Sequence, residues 1–354
     1  MQKHPLETDL NHILEHSESL WRELNGAKLF LTGCTGFLGI WLLESLLWAE
    51  KHLNIKLNAT VLSRNSQKFC SSYPSLSTTS SIRFHDGDIR NYTFPPGNFS
   101  HFIHGAASSA LATYQKEDPL IKFDTIIQGT ERTLNFAQRS GVKHFLFLSS
   151  GAVYGRGTQS TENFSENNPL VVNSTDPLAT WGIAKIAAEQ LCALYAEKFN
   201  MNIKIARCFS FYGPHLPLDI HYAIGNFIRD GLSNEPIKVH GDGTASRSYL
   251  YVADWVIWLL TILVKGRNMH PYNVGSESAL SIEKLAHTVA DCFAPKPVVH
   301  IEKKNLSSEV APNYYIPNTK CARDELGLIE WISLNNGLKK MIQFYKKEKI
   351  HENN

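Results

Sequence analysis

Hydrophobic positions along the 354-residue chain fall into two alternating patterns. Short apolar runs at 29–31, 57–63, 82–85, 102–104 and 144–150 read as strands covered on both faces. Between them, residues 37–48 and 121–139 carry apolar side chains through helix-length stretches. Strand and helix in alternation predict an α/β fold built on a doubly wound parallel sheet. Ahead of it, Pro5 and the spacing of Leu6, Leu10, Ile13, Leu14, Trp21 and Leu24 predict an amphipathic helix over 5–24, packed on the main domain and ended by Asn25-Gly26. Residues 65–80 are rich in Ser and Thr and read as a surface loop. Downstream, the pattern predicts a helix over 222–232, a short strand over 236–239 and a buried helix over 252–264 that takes Trp255 and Trp258 into the core. A helix from Ser281, a linker at Pro295-Lys-Pro297 and a last helix over 335–349, basic toward its end, complete the reading.

The first strand runs into Thr32-Gly33-Cys34-Thr35-Gly36-Phe37-Leu38-Gly39, three glycines at three-residue spacing before a helix. A turn without Cβ atoms lets backbone approach a pyrophosphate, and the following helix aims its free N–H groups at it. That order is the phosphate-binding turn of a dinucleotide (Rossmann) fold, the alternative being a tight turn with no ligand. The second strand ends Ser63-Arg64-Asn65 with no acid to hold a ribose hydroxyl. Arg64 is placed to grip a 2′-phosphate, so NADP is the expected cofactor and NAD the other candidate. After the third strand, Asp88 beside Ile89 reads either as a partner for the adenine amino group or as a turn cap. Ala106 and Ala107 are small enough for backbone to pass close to the cofactor, and His104 reads as a packed or hydrogen-bonded histidine.

Two further stretches carry chemistry. Ser149-Ser150-Gly151-Ala152-Val153-Tyr154-Gly155 closes a strand, and Thr180-Trp181-Gly182-Ile183-Ala184-Lys185 opens a helix in which 181 and 185 share a face. With the glycine turn, these closely resemble the extended short-chain dehydrogenase/reductase family, in its nucleotide-sugar epimerase/dehydratase branch. Arg207-Cys-Phe-Ser-Phe-Tyr-Gly-Pro214, Val239-His-Gly-Asp-Gly243, Arg247-Ser-Tyr-Leu-Tyr-Val-Ala-Asp254 and Tyr272-Asn-Val-Gly-Ser276 continue the resemblance in order, over residues 28–295.

The resemblance implies roles position by position. Ser150 matches the hydroxyl that bonds the reacting sugar oxygen. Lys185 matches the lysine that holds the nicotinamide ribose and lowers the pKa of a neighbouring base. Gly33, Thr35, Gly36, Phe37, Leu38, Gly39, Ser63, Arg64, Asp88, Ile89, Ala106 and Ala107 would line the dinucleotide. Ser210 and Arg247 would meet the nucleotide sugar, Arg247 at its phosphate. A smaller C-terminal lobe over the sheet edge and a homodimer are also implied, as is work in bacterial surface-polysaccharide sugar synthesis. The expected layout is a helix at 1–27, a dinucleotide-binding domain at 28–210 and a substrate lobe at 211–354, with 241–265 returning to the first domain.

Three departures sharpen the picture. Trp181 stands where the family carries the tyrosine that exchanges a proton with the sugar hydroxyl, and indole cannot act as that base. A substitute base (Tyr154, Cys208, His215, Tyr222 or His221), a step needing none, or an inactive binder would each explain it. Gly151 and Ala152 replace the Asp-Glu pair of the 4,6-dehydratases, which disfavours dehydration. Ser210 replaces the usual substrate-contacting Asn.

Composition narrows the class. Hydrophobic residues at 43% and charged residues at 19% describe a globular chain, and a net charge of +2 gives no reason to expect nucleic acid or an anionic membrane as partner. Six cysteines without a CxxC pair read as free thiols in a reducing compartment. Fifteen histidines form no HxH or HExxH, so no metal is expected. No run reaches transmembrane length, Glu44 interrupts the helix from Phe37, and the first residues lack a signal peptide's pattern, so the cytoplasm is the expected location. The expected activity is NAD(P)-dependent 4-keto reduction or epimerisation of a nucleotide-activated sugar. The alternative is a silent cofactor-binding relative that partners an active enzyme.

Overall fold

The computed structural model describes residues 4–108, 110–155, 162–303 and 313–352. Seven strands, β1 (Lys28–Thr32), β2 (Asn58–Ser63), β3 (Ile82–Asp86), β4 (His101–His104), β5 (His144–Ser150), β6 (Ile203–Cys208) and β7 (Pro271–Val274), form one sheet. Their order across it is β7-β6-β5-β4-β1-β2-β3, every neighbouring pair parallel. The order reverses between β1 and β4, and the crevice at such a switch point, outside the carboxyl ends of the strands, is where open α/β sheets take ligands.

Side chains on a strand alternate between faces, and here both faces are greasy. Phe30, Phe102, Phe145 and Phe147 pack with Ile126 and Leu134 of helix α3 (Pro119–Arg139) and Ala184 and Ala188 of α4 (Thr180–Phe199). Leu29, Leu31, Ile103 and Leu146 join the cluster built by α1 (Glu7–Glu23), α2 (Phe37–Leu53) and α5 (Val252–Lys265). Helix α5 is buried from Val252 through Leu263, which takes Trp255 and Trp258 into the core as expected.

Helix α1 lies against α2 and α5 through Leu6, Leu10, Ile13, Leu20 and Trp21. Polar contacts fix it there. Buried Asp9 accepts from Tyr251 Oη at 2.9 Å and from Lys340 Nζ at 2.7 Å. His12 Nε2 lies 2.9 Å from Oδ1 of fully buried Asp254, whose other oxygen accepts the backbone N–H groups of Trp331 and Ile332.

The stretch 65–80, expected as a loop, instead holds two short helices, Ser66–Ser72 and Pro74–Ser77. Local signals made them: the Asn65 side chain caps the first by accepting from Lys68 N, and Pro74 opens the second. Phe69 and Leu76 anchor both in the core beneath. Beyond residue 210 the chain returns to the central sheet further than 241–265, because β7 extends its edge as well. Around this lie three small sheets: Phe211–Tyr212 with Leu250–Tyr251, Ile237–Val239 with Val299–Ile301, and Ser246–Arg247 flanked by Leu280–Ser281 and Tyr314–Tyr315.

His104, at the end of β4, is buried and fully bonded: Nδ1 lies 2.7 Å from Thr32 Oγ1 and Nε2 3.1 Å from Thr130 Oγ1. Burial, with the nearby Lys185 ammonium, pushes its pKa down to about 3, so it is a neutral bridge between β1, β4 and α3. His101 and His215 are likewise pushed down to about 4, chiefly by burial. Each binds a proton more readily in the unfolded chain. Their contribution is therefore intact above pH 6.5 and is lost as pH falls toward 3, at no more than about 1.4 kcal/mol per pH unit for each histidine. Urea midpoints should fall through that window, and His104→Gln should show a shallower fall than wild type; an unchanged slope would contradict the assignment.

Candidate active site

The glycine turn after β1 divides its labour by sterics. At Gly33, with φ +78°, a Cβ would lie 2.5 Å from the backbone carbon of Gly105, so the turn after β1 and the turn after β4 touch main chain to main chain. At Gly39 a Cβ would lie 2.0 Å from Cys34 Cα, so only glycine lets α2 start this close to the turn. Gly36 differs. Its added Cβ would meet nothing nearer than the Gly33 carbonyl at 3.8 Å, and the residue is exposed. It is also the N-cap of α2, with no side chain capping the helix and no acid in the first turn. The orphan N–H groups and positive end of α2 thus face an open cradle, which fits a dinucleotide pyrophosphate. Thr35, Phe37 and Leu38 are half-buried around it.

At the adenosine end, Ser63 is buried and its Oγ accepts Asn65 N at 3.1 Å. Arg64 is exposed just beyond β2. Asp88 accepts from Arg90 backbone N at 3.0 Å, Nε at 2.8 Å and Nη2 at 3.0 Å, which together with Arg64 hold its carboxyl below the usual range. Asp88 therefore caps its turn and carries two arginines beside it. Ile89 is buried against Gly129 of α3, and Ala106 and Ala107 are half-buried beside β4.

The other end of the cleft forms where β5 meets α4. Ser150 closes β5, and its Oγ accepts Ala152 N at 3.2 Å, opening a turn of 3₁₀ helix at Gly151–Tyr154. Gly182 lets α4 press onto that turn, since a Cβ there would lie 2.6 Å from the Ala152 carbonyl oxygen. One turn on, Lys185 is buried and donates Nζ to Leu148 O at 2.7 Å. Burial pushes its pKa down to about 8, with the neighbouring Cys208 and Glu189 opposing. Its ammonium sits 4.7 Å from the Phe147 ring and 5.5 Å from the half-buried Trp181 ring, so Trp181 and Lys185 do share a face.

A residue that no spacing pointed to completes the cluster. Tyr315 belongs to a two-residue strand paired in parallel with Ser246–Arg247. Its ring lies 4.7 Å from the Phe209 ring and 5.6 Å from the Arg247 guanidinium. Burial pushes its phenol up to about 12, with the Ser150 side chain, the Arg247 charge and the Ala152 backbone opposing.

Behind the cleft runs a buried polar chain. Arg207 meets Glu189 bidentately at 3.0 and 2.7 Å, and Ser149 donates to the same carboxylate at 2.5 Å. Arg207 Nη1 also donates to Tyr154 Oη at 2.9 Å, which donates in turn to Asn273 Oδ1 at 2.8 Å.

A family model described as the NAD dependent epimerase/dehydratase family matches residues 29–275, across β1 to β7 and both ends of this cleft. The chain belongs to that family. UDP-glucuronic acid decarboxylase 2 of Arabidopsis thaliana is 30% identical over 247 residues, 69% of this chain and 53% of that protein, so the match spans about half of the relative's length. Among solved structures, an epimerase of Methanothermobacter thermautotrophicus superposes with a TM-score of 0.76 at 22% identity, covering 99% of both chains. A UDP-glucuronic acid 4-epimerase of Bacillus cereus, solved with UDP-glucuronic acid and NAD, gives 0.73 at 22% identity, over 91% of this chain and 99% of that one. At these identities the two structures speak for the fold.

Within this epimerase/dehydratase chain, a larger residue at 151 is sterically shut out, because a Cβ on Gly151 would lie 2.6 Å from the Phe209 ring. Of the substitutes considered for a proton-transfer group, Tyr154 is buried in the polar chain and His215 packs between Tyr73 and Phe344. His221 and Tyr222 contact each other at 4.5 Å. The Cys208 thiol neighbours Lys185 but is buried and pushed up to about 12. Arg247 Nη1 donates to Ser246 O at 2.8 Å and Asn313 O at 3.0 Å, and Ser210 is half-buried with its carbonyl accepting Leu250 N at 3.0 Å.

Among the described residues, His270, Cys321 and Glu325 place their ligating atoms within 4.8 Å of one another beside a cavity of about 370 Å³. Arg267 Nη2 already sits 2.9 Å from His270 Nε2 and 2.5 Å from Glu325 Oε1, so a side-chain cation holds the place a metal would take. No helix among the described residues is long and apolar enough to cross a membrane.

The three glycines give a sharp test. Gly36→Ala, at ordinary φ and in open space, should melt within about 2 °C of wild type yet bind dinucleotide at least about tenfold more weakly. Gly33→Ala and Gly39→Ala should each lower the melting temperature by several degrees. Equal dinucleotide affinity in Gly36→Ala, read by fluorescence titration, would show that the turn is only a turn.

Proposed function

We propose that this protein is an NAD(P)-dependent oxidoreductase or epimerase acting on a nucleotide-activated sugar, by 4-keto reduction or epimerisation, in surface-polysaccharide sugar synthesis. One set of observations supports the reading: Ser150 closes β5, Lys185 of α4 is bonded to Leu148 O two residues earlier on the same strand, and the N-terminus of α2 after β1 is left uncapped and open at Gly36. The dinucleotide, when bound, supplies or accepts a hydride at nicotinamide. The chain's own residues do the rest. Gly33, Gly36 and Gly39 shape the phosphate cradle, Lys185 orients the nicotinamide ribose, Ser150 bonds the sugar oxygen, and Arg247 and Ser210 hold the nucleotide sugar. The family name and the NAD and UDP-sugar in the Bacillus cereus structure support this class of ligands.

The absence of an acid after β2, with Arg64 exposed and Arg90 pinned to Asp88, favours NADP over NAD. Arg64→Ser should weaken NADPH binding about tenfold while leaving NADH within about twofold. A preference for NADH in wild type would reverse the assignment.

Trp181 supports a second reading, in which the chain binds its ligands but is silent and partners an active relative. Mass spectrometry of wild type and Trp181→Tyr, incubated with both cofactors and UDP-, GDP-, CDP- and dTDP-linked sugars and their 4-keto forms, separates the two. We expect wild type to convert at least one member. Turnover confined to Trp181→Tyr would favour the silent relative.

A further inference from the structure

We propose that Tyr315 is the proton donor of this active site, delivering its phenolic proton to the sugar carbonyl oxygen that Ser150 holds. The inference rests on the reading above, that a nucleotide-linked keto sugar occupies the cleft.

The argument begins with what Trp181 removes. An indole N–H donates a hydrogen bond but is far too weak an acid to hand its proton to a developing alkoxide, so the residue beside Lys185 cannot complete a carbonyl reduction. The site needs another acid within reach of Ser150. Three groups with an exchangeable proton sit in this part of the cleft: Lys185 bonded to Leu148 O, Cys208 paired with Ser150 across β5 and β6, and Tyr315. Lys185 is bonded to Leu148 O and faces two rings, and Cys208 is a buried thiol that donates to Ala206 O at 3.7 Å. Tyr315 packs its ring on Phe209, which lies over Gly151 directly after Ser150, and the Ser150 side chain is among the groups that act on its phenol.

Its placement is built rather than incidental. The pairing of Tyr315 with Arg247 brings the two together, and the ring packs against Phe209 at 4.7 Å, tilted by 37°. Phe209 in turn fills the space over Gly151, next to Ser150. A side chain at 151 would push Phe209 away, so the departure at Gly151 and the arrival of Tyr315 belong to one arrangement. Arg247, which the family resemblance assigns to the sugar nucleotide's phosphate, borders the ring at 5.6 Å. The Tyr315 ring therefore borders both the residue expected at the phosphate and, through Phe209, the turn that begins at the residue expected at the sugar oxygen.

The chemistry balances in the direction of reduction. Burial pushes the phenol up to about 12, so it stands protonated at neutral pH. A reduced dinucleotide, when bound, would supply the hydride from its nicotinamide C4–H bond for the new C–H bond at the carbonyl carbon. The C=O π pair moves onto oxygen, and that oxygen takes the proton from Tyr315 Oη. Ser150, the Ala152 backbone and the Arg247 charge each stabilise the phenolate left behind. Water then returns the proton.

Tyr315→Phe deletes one oxygen and keeps the ring against Phe209. In the full chain, steady-state kinetics on the converted 4-keto sugar nucleotide should show kcat lowered about 100-fold or more, with KM and the calorimetric Kd for NADPH within about threefold. A second readout needs no turnover. In a ¹³Cζ-tyrosine NMR spectrum of wild type, the signal missing from Tyr315→Phe should move when UDP-glucose or the converted nucleotide sugar is added at saturation. Wild-type kcat in Tyr315→Phe, or an unmoved signal at saturation, overturns the role of Tyr315 while leaving the proposed function standing. Turnover by Trp181→Tyr alone overturns it together with the idea that the native site is active. Absence of turnover and of sugar-nucleotide binding in both proteins removes the function and the role of Tyr315 together.

Discussion

The Glu189–Arg207 ion pair is the contact on which the cleft depends. Both side chains are less than a tenth exposed, and two nearly parallel hydrogen bonds join them. Dehydrating two charges costs several kcal/mol each, so the pair adds little net stability. What it fixes is geometry. Glu189 stands one helical turn beyond Lys185, and Arg207 stands on β6 beside Ser149 of β5. Tying them sets the rotation of α4 and thereby aims Lys185 at the Leu148 carbonyl. Ser149 donates to the same carboxylate, and because neighbours on a strand point to opposite sides, anchoring Ser149 behind the sheet turns Ser150 toward the cleft.

Much of this was legible in the chain, for a local reason. Gly33 and Gly39 are set by clashes within a few residues and across one neighbouring turn, with Gly36 left open between them, so the spacing alone reveals the cradle. Ser150 and Lys185 sit at the ends of strongly apolar elements, whose boundaries are easily found. Tyr315 had no such signal. It reaches Ser150 only through pairing with a strand 68 positions earlier at Arg247, and nothing local to Tyr314-Tyr315 marks a two-residue strand. The helices at 66–77 were hidden by their polar composition, although Asn65 and Pro74 carried the capping information. Asp88 read ambiguously because its partner, Arg90, lies only two residues away and competes with any ligand for the same oxygens.

Trp181 changes the electrostatics of its neighbour as well as the proton path. Lys185 is held by one carbonyl and two ring faces, an environment that tolerates the ammonium but also the free amine. A lysine so poised has no adjacent phenol to acidify. In the proposed reaction its charge serves the ribose hydroxyls, and Tyr315 rather than a neighbour of Lys185 supplies the proton.

The seating of α1 also constrains the order in which the molecule can assemble. Asp9 is bonded to Lys340, 331 positions away, and His12 to Asp254, 242 positions away. On a chain emerging from its N-terminus, this helix is made well before the segments that carry Asp254 and Lys340. Until α5 and the final helix exist, Leu6, Leu10, Ile13 and Trp21 have only α2 to cover them. A helix made early is thus locked late, a latch thrown after the sheet beneath it is complete.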